Sequence, residues 1–412
     1  MTTILISFVG TQDPYSPKNQ QDGSIITLTK YLLNTQENIK KVILLYTQDL
    51  DTNAELTKDV LQTEYGILEI EIIAVNKELS KDPINFSLAI NEAKKGLNIA
   101  DQYWQLGDIL ALNASSGTPV MKSAWAILQS AGYAPHSNVW QVRNPDTINT
   151  GQEPVFTTNV NTLKEEFDRK IIIQQINNYN YSGASLTLEQ SSLFSKKVDD
   201  LLIYGKQRLA FNFNQAYSQI SHYQEDDIKS FTTDIIPLRQ NNVVALLKEV
   251  YFKACIKLEQ KEYSDFLIWL FAFQENLLQY LMRRKFLNKS QWENSKWKAV
   301  ELEIIEKIKV FDNDKLYKHL QKNHVNFKYL NRPMMMDIIK YDTDFSNFLQ
   351  NINFIEKYAS ERNNHIHHLQ GVEEIKEQEK LTKSMLDILK LISKIPETNP
   401  FKVVNTKIFE LL

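Results

Sequence analysis

One cysteine, Cys255, in a chain of 412 residues leaves no partner for an intrachain disulfide. The fold is therefore expected to rely on packing and hydrogen bonding, in a reducing compartment such as the cytoplasm. Strong charge of either sign is also missing. The net charge of −3 offers no long-range attraction to nucleic acid, so any such contact has to be local. No apolar run reaches the ~18 residues that a membrane span needs. The most apolar stretch, residues 266–273, stops at Gln274 and Glu275 and reads as a buried helix or a contact between copies. Met1–Ile6 carries no basic region ahead of its apolar run, so a secretory signal is not expected. The dinucleotide fingerprint G-x-G-x-x-G and the phosphate loop G-x-x-x-x-G-K-S/T are both absent, which disfavours a nicotinamide dehydrogenase and a P-loop NTPase.

What is present divides at about residue 150. Eight of the 11 glycines fall at or before Gly151, and seven of the 11 prolines at or before Pro154. Upstream, apolar strand-like runs (Thr3–Val9, Lys41–Tyr46, Glu69–Val75, Asp108–Asn113, Asn138–Arg143) alternate with amphipathic segments near 23–35, 53–65, 86–101 and 118–131. That alternation predicts an α/β, Rossmann-like domain with a parallel sheet covered on both faces. Downstream, a 3.6-residue period predicts an all-helical domain, with helices over roughly 161–178, 187–221, 239–259, 262–287, 290–309, 343–373 and 375–394. The expected organisation is 1–150, a linker over 151–165, and 166–412.

In an open parallel sheet the ligand sits beyond the carboxyl ends of the strands, where the strand order reverses. Two loops there carry suitable chemistry: Gly10-Thr11-Gln12-Asp13-Pro14 after the first strand, and Asn113-Ala114-Ser115-Ser116-Gly117-Thr118-Pro119 after the fourth. Gly117 permits close backbone approach, Thr118 or Ser116 suits a helix cap, and Pro119 suits the first helical position. Hydroxyls beside a helix start form an anion site. The same loop also serves as a plain helix cap in any α/β fold.

Near the end of the helical half stands Arg362-Asn363-Asn364-His365-Ile366-His367. Arginine is a permanent, forked phosphate clamp, and histidine titrates near neutrality. A metal-free RNA-cleaving site requires such a pair. Positions 362 and 367 lie about 140° apart around a helix; His365 shares the face of Arg362 better, and His368 lies nearby. Read alone, such a cluster is more often a solvated helix end than a catalytic site; a metal site through His365 and His368 is a lesser alternative, since no recognised ligand spacing accompanies them. A second basic segment, Arg283-Arg284-Lys285 with Lys289, Lys296 and Lys298 interleaved with Phe286, Trp292 and Trp297, fits an RNA backbone contact or a helix whose tryptophans are buried. Phe354, Ile355 and Tyr358 are expected in the core.

Taken in order, the two loops, Val142-Arg143-Asn144-Pro145 after the fifth strand and the Arg-Asn-x-x-x-His motif resemble the CARF–HEPN ribonucleases of type III CRISPR systems, across nearly the whole chain. The resemblance implies a CARF-like sensing domain over 1–150 and a HEPN-like ribonuclease domain over 166–412. It implies a homodimer that binds a cyclic oligoadenylate, tetra- or hexa-adenylate, through Gly10, Thr11, Gln12, Asp13, Asn113, Ser115, Ser116, Gly117 and Thr118. It further implies metal-independent cutting of single-stranded RNA without a cofactor, with Arg362 and His367 as the catalytic pair and Asn363 orienting a phosphate or the second subunit's site. The ribose 2′-OH would attack its own phosphate, leaving 2′,3′-cyclic phosphate and 5′-OH ends. Degradation of the activator, with Thr11, Ser115 or Thr118 positioning a ribose, is a further implied activity. The competing readings are a nucleotide-sensing scaffold without catalysis, and an α/β enzyme acting on a nucleotide beneath a helical lid.

Overall fold

The Val-, Ile- and Leu-rich runs of the first half become strands β1 (Thr2–Phe8), β2 (Asn38–Tyr46), β3 (Ile70–Ala74), β4 (Asp108–Asn113) and β5 (Ser137–Val142). The computed structural model describes residues 2–144, 148–158, 160–288, 297–367 and 371–412, apart from the side chains of 161 and 359–367. It divides the chain into two compact units, Met1–Phe167 and Asp168–Leu412.

In the first unit the sheet order is β3-β2-β1-β4-β5-β6. The first five strands run parallel. The short β6 (Val155–Thr157) pairs antiparallel with β5, so the sheet is mixed, and part of the 151–165 stretch is strand. Alternation along each strand loads both faces. Ile4, Ile6 and Phe8 pack with residues of helices α4 (Phe86–Asp101) and α5 (Pro119–Ser130); Leu5 and Val9 pack with residues of α1 (Ser24–Asn34) and α2 (Asp51–Thr63). A short α3 (Lys77–Lys81) precedes α4. Because β1 lies between β2 and β4, the chain reverses direction across the sheet at β1/β4. The two loops singled out above leave neighbouring strand ends there.

Asp13 ties these loops together. At 1% exposure, its carboxylate accepts hydrogen bonds from Gly10 N (3.0 Å), from Ile25 N in the first turn of α1 (3.2 Å), and from the Ser116 hydroxyl of the other loop. Gly10 has no room for a side chain, since a Cβ would stand 2.9 Å from Ser116 Oγ.

The second unit is helical: α6 (Asn161–Asn177, which begins before the division), α7 (Tyr181–Glu189), α8 (Lys196–Leu209), α9 (Phe213–Ile220), α10 (Asp226–Arg239), α11 (Val243–Glu259), α12 (Tyr263–Phe286), α13 (Trp297–Val310), α14 (Lys315–Lys322), α15 (Arg332–Tyr341), α16 (Ser346–His367), α17 (Gln378–Ile392) and α18 (Pro400–Leu411). The helix expected over 187–221 is instead three, broken where Ser191 Oγ accepts from Leu193 N and where Phe211 turns left-handed at φ 62°. Four helices, α10, α14, α15 and α18, were not expected. Two apolar cores form. One gathers α6–α10 with α18, where Tyr181 OH donates to Asn405 Oδ1 (2.7 Å). The other surrounds α12, and the 266–273 stretch supplies it with Phe266, Leu267, Leu270 and Phe273. Phe354, Ile355 and Tyr358 join this second core as expected.

A forked ion pair links α8 to α11. Arg208 Nε and Nη2 donate to Glu249 Oε1 (2.7 Å) and Oε2 (2.8 Å), and Nη1 donates to Tyr204 OH (3.0 Å). Both charged side chains are 3% exposed. Cys255, on α11, has its thiol pushed up to about 11 by burial, so it is protonated and inert at neutral pH.

Two predictions follow from these buried charges. Arg208→Met strands Glu249 without its partner and is expected to cost about 3–5 kcal/mol in chemical unfolding, most of which Arg208→Met/Glu249→Leu recovers. Burial outweighs its hydrogen bonds and raises the Asp13 carboxyl above its ordinary 3.8. Its share of stability is therefore full below that value and lost as pH rises through the folded pKa. The stability margin of wild type over Asp13→Asn is expected to be larger near about pH 4 than near about pH 7.

Candidate functional site

The β1/β4 crevice is a cavity of about 590 Å³. Of the nine loop residues expected to contact a ligand, Gly10, Thr11, Gln12, Asp13, Ser115, Ser116 and Gly117 line it. Asn113 and Thr118 do not, and each has a different task. Asn113 is buried, with Nδ2 donating to Ser7 Oγ (3.1 Å) and Ser24 Oγ (3.3 Å), while its Oδ1 accepts from Ser115 N (3.0 Å). Thr118 caps α5 by accepting from Met121 N (3.5 Å), and its hydroxyl donates to Pro83 O (2.7 Å). Gly117 adopts φ +89°, with the Met121 and Phe8 side chains 3.1 Å from any Cβ. A side chain here meets both strain and crowding.

The crevice is polar by construction. Ser115 Oγ accepts from Val142 N (2.7 Å), lacing the fourth-strand loop to β5. Thr11 and Gln12 are exposed at its mouth. Three cations unassigned by the sequence reading also line it: exposed Lys18 from the first-strand loop, Lys122 from the start of α5 and Arg143 from the end of β5. Arg143 is held in place: its Nε donates to Glu153 O (3.1 Å), and its guanidinium lies 4.1 Å from the Phe156 ring centroid on β6. A second cavity of about 370 Å³ shares Ser115, Lys122, Val142, Arg143 and Asn144 with the first, so the cationic wall serves both. Hydroxyls, a helix start and three cations suit a ligand carrying several phosphates. The signal for Lys122 was one turn of helix beyond Thr118, and that for Arg143 lay in Val142-Arg143-Asn144.

In the helical unit, α16 carries Arg362, Asn363, His365 and His367 on its last turns as backbone; their side chains, and His368, lie outside the described residues. Tyr358 OH, one turn upstream of Arg362, donates to Lys376 O (2.9 Å) and Glu377 Oε2 (3.1 Å). This braces α16 against the start of α17. In the described part of the second basic segment Arg284 is exposed, and most of the rest is bound up in structure. Arg283 and Phe286 are buried, the Arg283 guanidinium lies 5.5 Å from the Trp297 ring centroid, and Lys285 pairs with Asp342 (2.7 Å) and Asp344 (2.5 Å). Lys298 is exposed; Lys289, Trp292 and Lys296 lie outside the described residues. Among the described residues, no cluster of His, Cys, Asp and Glu has the makings of a metal site, and no helix is long and apolar enough to cross a membrane.

Comparison with known proteins places this architecture. The model of the CRISPR-associated protein Csm6 6H domain matches residues 159–209, and that of the Csm6 HEPN domain matches residues 235–409. The helical half expected as one domain thus holds two family segments, which meet at the Arg208–Glu249 pair. Among solved structures, Enterococcus italicus Csm6 bound to cyclic hexa-2′-fluoro-hexa-dAMP is similar over 100% of both chains, with a TM-score of 0.71 at 14% sequence identity. No curated protein sequence matches the chain. With a β1/β4 crevice in its first unit and both helical models of one family matched in order, the chain belongs to the Csm6 family of type III CRISPR-associated CARF–HEPN proteins.

Proposed function

We propose that this chain is an endoribonuclease of CRISPR antiviral defence, switched on by a cyclic oligoadenylate and cutting single-stranded RNA without a metal. The observation that carries the reading is the position of Arg362 and His367 at the end of α16, inside the HEPN match, in the same chain as a phosphate-suited crevice. A solved relative of the same fold holds a cyclic hexanucleotide, which supports a cyclic oligonucleotide as the crevice's ligand.

The chemistry follows from the residue types. Arg362 meets the charge that gathers on the non-bridging phosphate oxygens as the ribose 2′-OH attacks. Histidine is the side-chain type that titrates near neutrality, and His367 moves the proton. Asn363 orients the phosphate. The products are a 2′,3′-cyclic phosphate and a 5′-OH. The two catalytic positions flank a helix face rather than share it, which suits a homodimer in which two α16 ends complete one site. In the crevice, Thr11, Gln12, Ser115, Ser116 and Gly117 meet the ligand. Asp13 and Asn113 hold the loops, and Thr118 anchors α5. Lys122 and Arg143 neutralise ligand phosphates. Activator binding draws the population toward the arrangement in which the Arg–His pairs cut. Should the activator itself be cleaved, Thr11 is the best placed of the three hydroxyl candidates, since Ser115 and Thr118 are engaged elsewhere.

Labelled single-stranded RNA in EDTA, with and without cyclic tetra- and hexa-adenylate, tests the reading. Wild type is expected to cut only with activator. Arg362→Ala and His367→Ala each lose about 10²–10⁴-fold in rate, and His365→Ala keeps most of it. An inactive wild type with both rings, or an active His367→Ala, overturns it. Arg143→Ala and Lys122→Ala are expected to raise the activator concentration for half-maximal cutting about 10-fold or more, with the maximal rate unchanged.

A further inference from the structure

At the edge of the apolar core around α12, one polar cluster grips the helix that carries Arg362 and His367: Gln274 is buried, and Arg332 and Glu356 are partly exposed. Gln274, on α12, is 0% exposed. Its Oε1 accepts from Arg332 Nη2 (2.6 Å) and its Nε2 donates to Glu356 Oε2 (2.6 Å). Arg332 Nη2 also donates to Glu356 Oε2 (2.6 Å), and its guanidinium lies 4.9 Å from the Phe271 ring centroid. Arg332 opens α15 behind its cap Asn331, and Glu356 is on α16. Three helices thus meet in one network, amid buried Phe273, Leu277, Leu278, Ile352 and Ile355.

A buried carboxamide is tolerated only with its hydrogen bonds made, and these are directional. The surrounding apolar contact is not; it falls off smoothly with area and tolerates rotation of one helix against another. Register matters here more than elsewhere. Asn363 and His367 follow Glu356 by seven and eleven residues, and at 100° per residue both return to within about 20° of its direction, with Arg362 about 120° round. A slip of one residue turns every position by about 100° and carries it about 1.5 Å along the axis.

We propose that the Gln274–Arg332–Glu356 cluster is a positioning device: it fixes the rotation and axial register of α16, and through them where Arg362 and His367 stand. This rests on the ribonuclease reading above. The cluster touches no substrate. Its loss misplaces the reacting groups while leaving RNA affinity and the activator crevice as they were.

The test uses the full chain, labelled single-stranded RNA and a cyclic oligoadenylate that activates wild type. Arg332→Met is expected to lower kcat of the folded enzyme about 10- to 100-fold with the KM for RNA and the half-maximal activator concentration unchanged, and also to lower the unfolding midpoint, since it leaves the buried Gln274 Oε1 without its donor. Arg332→Lys, which keeps a charge for Glu356 without the fork, is expected to fall between the two. Should Arg332→Met not fold, Glu356→Gln removes the charge at constant shape and is expected to show the same loss in kcat alone. A lowered unfolding midpoint with wild-type kcat in the folded fraction means an ordinary structural role and overturns the proposal, as does a kcat that none of these variants moves. A wild type that no activator switches on fails earlier, at the ribonuclease reading, and takes this inference with it.

Discussion

A carboxyl buried in a loop beyond a strand end can survive only if its neighbours supply donors, and Asp13 draws them from its own loop, from the first turn of α1 and from the fourth-strand loop. The crevice depends on that convergence. The parallel order brings the carboxyl ends of β1 and β4 side by side, but adjacency alone leaves two independent loops. Asp13 and Asn113 convert them into one wall, one from below the first loop and one from below the second. Once the wall is rigid, the exposed groups of Thr11 and Gln12 and the cations Lys122 and Arg143 face a surface of defined shape, and ordering cost at binding is small.

The helical unit obeys a related logic with different parts. Its two cores are apolar and would accept several arrangements; its few buried polar contacts select among them. Arg208 and Glu249 join the two family segments, and Gln274, Arg332 and Glu356 join the helices of the second core. The Arg208–Glu249 pair loses more when broken than it contributes when whole, because the unpaired remnant stays buried; in the second network that holds for Gln274 alone. Such groups act mainly on specificity of packing.

Much of this was legible in the sequence, for identifiable reasons. The five parallel strands lie within a few residues of expectation because each holds a short apolar run, and all but β2, which runs into Thr47-Gln48, end at or just before Gly, Asn or Pro. β6 was not, since three residues carry no period. In the helical half, Asn399-Pro400 and Asn331-Arg332-Pro333 are start signals of the cap-then-proline kind, yet the helices behind them are short. α10 carries Pro237 in its last turns, a residue that ordinarily breaks a helix. The crevice loops were readable from hydroxyls and glycines at strand ends. Which of their residues point inward was not: Asp13 and Asn113 are the same polar types whether they hold a ligand or hold the loop, and only burial separates the two. Lys122 escaped notice, and Arg143 was quoted in its motif but given no role, because a lone cation has no task until a fold places it at a cavity.

The sheet's two edges carry a consequence for solubility. On one side β6 covers β5 with a strand only three residues long, stiffened by Arg143 against Phe156. On the other, β3 presents Glu71, paired to Lys41 at 3.0 Å. A short flap and a charged rim are poor templates for adding strands. Two copies of this chain crowded together therefore have little opportunity to zip edge to edge into an extended sheet, and the way they meet is left to helices and loops, where association can be specific and reversible.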